Sequence, residues 1–164
     1  MNHVCRPEVA ISNLRDRPDL APDVADRVWQ AWWKAKGYPL DHIADLVGEN
    51  LTGSSIPFSL VAHDRTDFIG TVSVIENDFP DRPDYTPWLA ALWVDRDHRE
   101  RGVGAALVEQ AAQAAFALGT GTIYLGALPE PRRFYEKRGW VCIEENADGE
   151  GLSILRLDAA RNSL

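Results

Sequence analysis

Between residues 88 and 118 the chain passes from an unbroken apolar run through a polar loop into an alanine-rich helical stretch. The junction reads Val94-Asp95-Arg96-Asp97-His98-Arg99-Glu100-Arg101-Gly102-Val103-Gly104-Ala105, so Arg-x-x-Gly-x-Gly stands at the mouth of a helix. A helix's first turn carries N–H groups without intrahelical partners and the positive end of its dipole, and together these attract anions. Gly102 and Gly104 admit close backbone approach, while Arg99 and Arg101 add charge that a phosphate accepts in fork geometry. The segment is not a P-loop, because no Gly-Lys-Ser/Thr follows. Nor is it a dinucleotide fingerprint, because Leu107 occupies the third glycine position. A glycine pair alone is an ordinary helix start; the strand before it and the helix after it carry the anion-site reading.

The remaining elements follow from periodicity and punctuation. Residues 9–11 read as a short strand and 23–36 as a helix, with Val24, Val28 and Trp32 at i, i+4, i+8 and Gly37 as its stop. A second helix is expected over 41–49, with Ile43, Leu46 and Val47 inward. Residues 58–63 and 68–75 form an expected hairpin about 64–67. An acidic, proline-spaced loop over 77–87 then leads to the apolar run 88–94, expected to be buried on both faces. A long helix is expected over 102–118 with a stripe of Val103, Leu107, Ala111, Ala114 and Leu118, capped by Gly119. Strand 122–127, a short helix 131–138 and a closing hairpin of 141–145 with 152–157 complete the order. This is an α/β arrangement, α+β in kind, on a mixed sheet. At 164 residues one domain is expected.

At Arg99-x-x-Gly102-x-Gly104 the chain resembles the acyl-CoA pyrophosphate motif of the GCN5-related N-acetyltransferases, the GNAT family. Phe134-Tyr135-Glu136-Lys137-Arg138-Gly139-Trp140 is similar to that family's aromatic–Tyr–Glu–Lys–x–Gly–aromatic segment, and the element order agrees over about 8–158. The resemblance implies a splayed central sheet with acetyl-CoA between the strands 88–94 and 122–127. The edge of Leu92, Trp93 and Val94 would pair with pantetheine amides. Backbone amides of Arg101, Gly102, Val103, Gly104 and Ala105 would hold the pyrophosphate, with Arg99 and Glu100 entering the same loop. The resemblance also implies Tyr135 as the acid that protonates the leaving sulfur. Relatives often carry Asn and Ala seven and four residues before that tyrosine; Leu128 and Pro131 stand there instead, and Arg132 and Arg133 become candidates for the 3′-phosphate.

The strand 88–94 holds no carboxylate, so the base falls to Glu76 at the end of the preceding strand, with Asp78 just beyond it. His63 and His98 titrate near neutrality but stand in a strand and in the phosphate loop. The reaction implied is acetyl transfer from acetyl-CoA to a primary amine of a small molecule or peptide; a non-catalytic acyl-CoA-binding member of the same fold is the alternative.

Charge refines the partners. With 17 Lys+Arg against 25 Asp+Glu, a net charge of −8 argues against nucleic acid. Acidic stretches cluster at 76–84 and 144–150, and the first, if it lies over the acceptor side, favours a cationic amine. The aromatic residues Trp29, Trp32, Trp33, Tyr38, Tyr85 and Trp88 are candidates for an acceptor pocket. Two cysteines, Cys5 and Cys142, form no disulfide framework or metal-ligand spacing, and no metal is expected. No apolar run of membrane-spanning length or leader pattern is present, so the expectation is a cytoplasmic protein off the membrane. Oligomeric state is left open, a homodimer included.

Overall fold

The computed structural model describes residues 9–52 and 55–160. Cys5 lies outside them. Seven strands form one mixed sheet in the order β1-β2-β3-β4-β5-β7-β6. They are β1 (Ala10–Asn13), β2 (Phe58–Asp64), β3 (Asp67–Ile75), β4 (Trp88–Val94), β5 (Thr122–Ala127), β6 (Val141–Glu144) and β7 (Ser153–Asp158). All neighbours run antiparallel except β4 and β5. Four α-helices cover the sheet: α1 (Ala21–Val28), α2 (Leu40–Glu49), α3 (Val103–Ala117) and α4 (Pro129–Glu136).

Alternation along the strands sends side chains to opposite faces. On one face Leu60, Ala62, Ile69 and Val72 meet Val103, Leu107, Ala111 and Ala115 of α3 and Tyr135 of α4. On the other, Val61 and Phe68 meet Val24 and Ala25 of α1 and Ile43 and Val47 of α2. The expected stripe holds at Val103, Leu107 and Ala111 and widens to Val108, Ala112 and Ala115, whereas Ala114 is half-buried and Leu118 is exposed. Leu46 of α2 is exposed as well. Gly70 explains how closely β3 approaches β4: a Cβ there would stand 2.8 Å from the Trp93 carbonyl oxygen.

Two departures from ladder geometry position the functional cleft. The parallel β4–β5 pairing consists of one register pair, Trp88↔Tyr124, with the Tyr124 N–H on the Pro87 carbonyl at 3.0 Å. Beyond it the strands part. A ring cluster fastens the joined end, with Tyr85 stacked on Tyr124 at 4.7 Å and Trp88 tilted against both. Only Trp88 and Leu89 of β4 are buried; residues 90–94 are half-buried. The expectation of burial on both faces fails because β5 has diverged by then.

The second departure is a bulge in β4. Ala90 pairs with Ser73 and Trp93 with Thr71, so Ala91 and Leu92 together face Val72. Ala91 takes φ +55°, a left-handed conformation that costs an alanine about 1 kcal/mol.

The helix expected over 23–36 is continuous but not uniform. After α1 a π turn spans Trp29–Trp33, in which the Lys34 N–H reaches back to the Trp29 carbonyl, and a 3₁₀ turn (Lys34–Lys36) ends at Gly37. Among the described residues no helix is long and apolar enough to cross a membrane.

Candidate functional site

The parted strands open a cleft of about 960 Å³, lined by β4 from Leu89 to Val94, by the loop and first turn of α3, by Leu125, Gly126 and Ala127 of β5, and by α4. At the helix mouth Glu100 takes φ +64° and Gly102 φ +82°. These left-handed residues turn successive amides inward, the geometry of an anion nest. Among the described residues none of the N–H groups of Glu100, Arg101, Gly102, Val103, Gly104 or Ala105 finds an acceptor; helical bonding resumes when Ala106 donates to Gly102. Six free amides at a dipole's positive end fit a pyrophosphate. The unpaired β4 edge fits the amide-bearing arm of CoA, and the cleft volume is that of a cofactor site.

Side chains at this mouth divide. Arg99 lines the cleft with its guanidinium 4.7 Å over the Trp93 ring and its Nε donating to the Val94 carbonyl at 2.8 Å. Its terminal nitrogens have no acceptor among the described residues. Arg101 is exposed and does not line the cleft. Val103 is buried in the core and offers only backbone. Gly102 is required by its φ, whereas a Cβ at Gly104 would make ordinary contacts with Val94 and Phe134.

Tyr135 sits on α4 where Pro129 starts the helix and Gly139, at φ +92°, turns the chain away behind it. Its ring lies edge-on to Phe134 and Trp140, and it lines the cleft. It is 8 % exposed, and burial pushes its hydroxyl up to about 12. No hydrogen-bond partner holds that hydroxyl among the described residues.

A second pocket of about 710 Å³ lies under α1, the π turn and α2. Trp32, Lys36, Asp78, Ala90 and Ala91 line both cavities, so the two meet at the β4 bulge. Glu76 lines only the second pocket. Asp78 is exposed at the junction of the two cavities, yet the protein packed around it withdraws enough water to push its carboxyl up to about 6. Asn50, Ser73 and Glu49 are also on the second pocket's wall. The end of β4 is tied to its roof: Asp95 accepts from Arg27 Nε at 3.0 Å and from the Trp93 indole at 2.8 Å.

The chain matches the model of the family described as Acetyltransferase (GNAT) family over residues 22–140. It belongs to that family. No curated protein matches this GNAT chain at a significant level. Solved structures do. An aminoglycoside 6′-N-acetyltransferase complexed with coenzyme A is similar at TM-score 0.73 and 21% identity, over 94% of this chain and 99% of that one. An aminoglycoside 6′-acetyltransferase type Ii follows at TM-score 0.71 and 25% identity, over 93% and 99%. A spermidine/spermine N-acetyltransferase from Vibrio cholerae is similar at TM-score 0.68 and 17% identity, over 92% and 95%.

Within this GNAT chain several sequence candidates land elsewhere. Trp88 is fully buried and Tyr85 stacks on Tyr124, and neither lines the second pocket; Trp29 donates its indole N–H to the Tyr38 carbonyl and does not line it either. Arg132 is taken by Glu136 and Glu145, and neither it nor Arg133 lines the cleft. The acidic stretch 144–150 is spent on structure: Glu144 grips Arg82 at 2.7 Å, and Asp148 accepts the amides of Glu150 and Leu152. His63 lies between Arg17 and Ser12; the guanidinium can only donate, so Nδ1 accepts and Nε2–H donates to Ser12 at 2.8 Å. It does not line either cavity. His98 lines the cleft between β4 and β5.

Sequence reasoning passed over Arg138, which lies 3.8 Å over the Phe134 ring at the cleft edge, and Asn50. The first stood inside a recognised motif; the second had no local signal. Among the described residues no group of three or more His, Cys, Asp or Glu is placed to hold a metal.

Proposed function

We propose that the protein transfers the acetyl group of acetyl-CoA to a primary amine of a small cationic molecule. The observation that carries this reading is the meeting of two cavities at one bulge, with Tyr135 on the donor side and Asp78 on the wall between them. Acetyl-CoA supplies an acetyl thioester; residues 100–105 and the free edge of Leu92, Trp93 and Val94 would hold it by backbone, with Arg99 and Arg138 beside its phosphates.

Asp78 is the group placed to take the amine's proton. A carboxyl near 6 is ionised at neutral pH yet far more basic than a solvated aspartate. The bound ammonium first gives one proton to water, which frees the lone pair. As the nitrogen bonds to the thioester carbon it becomes strongly acidic, the carboxylate accepts the second proton directly or through one water, and the C–S bond breaks to release CoA thiolate. Glu76, expected as the base, lines the acceptor pocket only and serves to draw the ammonium in. Tyr135 keeps its proton across the neutral range. A thiol's reference pKa is about 8.5, so a hydroxyl near 12 gives the departing sulfur a strong hydrogen bond without losing the proton to it at equilibrium.

The test is a calorimetric titration with acetyl-CoA followed by a thiol-release assay on a panel of amines. Saturable binding and amine-dependent thiol release are expected. Binding without release from any amine would replace this reading with a non-catalytic acyl-CoA-binding role, and no binding at millimolar concentration would remove both.

A further inference from the structure

We infer that the acceptor is a primary amine carrying its charge at one end of an apolar body, an arylalkylamine or alkylamine; this rests on the acetyltransferase reading above. Much of the pocket wall is hydrocarbon and indole: Val24 and Val28 from α1, Trp32 and Trp33 from the π turn, Leu46 from α2. Trp32 and Leu46 remain 40% and 41% exposed, and both line this cavity. Side chains of that size left open inside a concave site mark apolar ligand surface. Their rings are held in place, Trp32 edge-on to Trp93 at 6.5 Å and Trp33 edge-on to Tyr38 at 5.2 Å.

The polar groups of the same wall are nearly all acceptors. Glu76 and Asp78 stand beside the bulge, and Glu49 lines the wall from the end of α2. Asn50 is 8% exposed and lines the pocket; its amide nitrogen is committed to Ser59 at 2.7 Å, and its carbonyl oxygen has no donor among the described residues. Ser73 closes that chain, 2.7 Å from Ser59. Among the described residues Lys36 is the one cation on the wall, and it rests 5.3 Å from the Trp33 ring centroid. Such a site satisfies the N–H groups of one ammonium. The stretch of Val24 and Val28 offers nothing to the hydroxyls of a sugar, each of which carries its full desolvation cost when left unmet, and a polyamine finds only Glu49 away from the bulge.

The experiment measures kcat/KM by thiol release for ethylamine, butylamine, hexylamine, phenethylamine, spermidine and kanamycin, with phenethylamine binding followed in parallel by calorimetry. Along the alkyl series kcat/KM is expected to rise about threefold to fourfold per methylene. Phenethylamine should exceed spermidine and kanamycin by roughly tenfold or more. Trp32→Ala should flatten the alkyl slope, read as the ratio of hexylamine to ethylamine kcat/KM within the variant. Leu46→Gln, on an exposed helix position that asks nothing of the core, should do the same if Trp32→Ala does not fold. A flat slope, or preference for spermidine or kanamycin, overturns the inference and leaves the acetyltransferase reading standing. Phenethylamine binding that Leu46→Gln weakens, without turnover of any amine, supports the pocket assignment and overturns catalysis. Neither binding nor turnover overturns both.

Discussion

The donor cleft and the acceptor pocket touch at Ala90 and Ala91 but are built from different material. The cleft is a backbone site: six unpaired amides, a glycine at φ +82° and a strand edge without a neighbour. The pocket is a side-chain site, assembled from α1, the π turn, α2 and the end of β3. A backbone site tolerates changes in most side chains and fails when φ is disturbed. A side-chain site is rewritten by single substitutions while the fold stays. One half of this molecule is therefore constrained to a common ligand, and the other is free to choose its own.

The largest expected effect lies where the two sites share the reaction. Tyr135→Phe should lower kcat by about 10²–10³-fold, with the acetyl-CoA dissociation constant, measured by calorimetry, essentially unchanged. A kcat within twofold of the parent would show that the hydroxyl is not used.

Asp78→Asn comes next, with kcat/KM down by about 10–100-fold. In the parent, kcat/KM should rise with pH through a limb near 6 as the carboxyl ionises, and the substitution should remove that limb. Glu76→Gln should keep it and change mainly KM for the amine. A limb that disappears with Glu76 and survives without Asp78 would reverse their roles.

The comparison itself is tested by the two glycines. Gly102→Ala forces a side chain into the left-handed region at a cost of about 1 kcal/mol. It should weaken acetyl-CoA binding by about tenfold or more, because six amides lose their aim. Gly104→Ala has room for its methyl and should leave Tm within about 1 °C, a shift equivalent to less than 0.5 kcal/mol. Equal losses of stability in both would mean that the φ of Gly102 is not what shapes the mouth.

The smallest effect concerns stability. The folded-state carboxyl of Asp78 is raised above its ordinary value, so the folded protein holds that proton more tightly than the unfolded chain does. Below the unfolded value the group has no stability cost; as pH rises from there through about 6 its ionisation disfavours the fold. Asp78→Asn should raise Tm by about 2–4 °C at pH 8, a figure already discounted for the solvent contact of this carboxyl. The gain should vanish below pH 4, as thermal melts across that range would show.

The same contrast explains what could be read in advance. Strands 88–94 and 122–127 coincide with β4 and β5 to the residue because apolar runs bounded by turn residues are local signals. The helix mouth was equally legible, since glycine spacing, strand and helix all lie within one short stretch. The half-burial of β4 was not, because it depends on β5 turning away after Tyr124, thirty-six positions from Trp88 in the chain. Nor was the π turn, whose extra residue helps bring Trp32 and Trp33 onto the pocket. Asn50 could not be placed, because its role exists only once α2 lies across β2 and β3. Arg132 misleads for the opposite reason: the sequence shows its charge but not Glu136 and Glu145, which neutralise it.

The lone β4–β5 pair gives the molecule the mechanics of a hinged peg. Strands β1 to β4 form one cohesive leaf and β5, β7 and β6 another, each continuous in its own ladder. The leaves meet at Trp88 and Tyr124, where the ring cluster serves as the pin, with α3 laid across as the spring. Local opening should therefore begin along this seam: amides of residues 90–94 that face the gap should exchange with solvent well before those of β2 and β3. A molecule filling the cleft would close the seam with new hydrogen bonds and slow that exchange from the open end toward the pin.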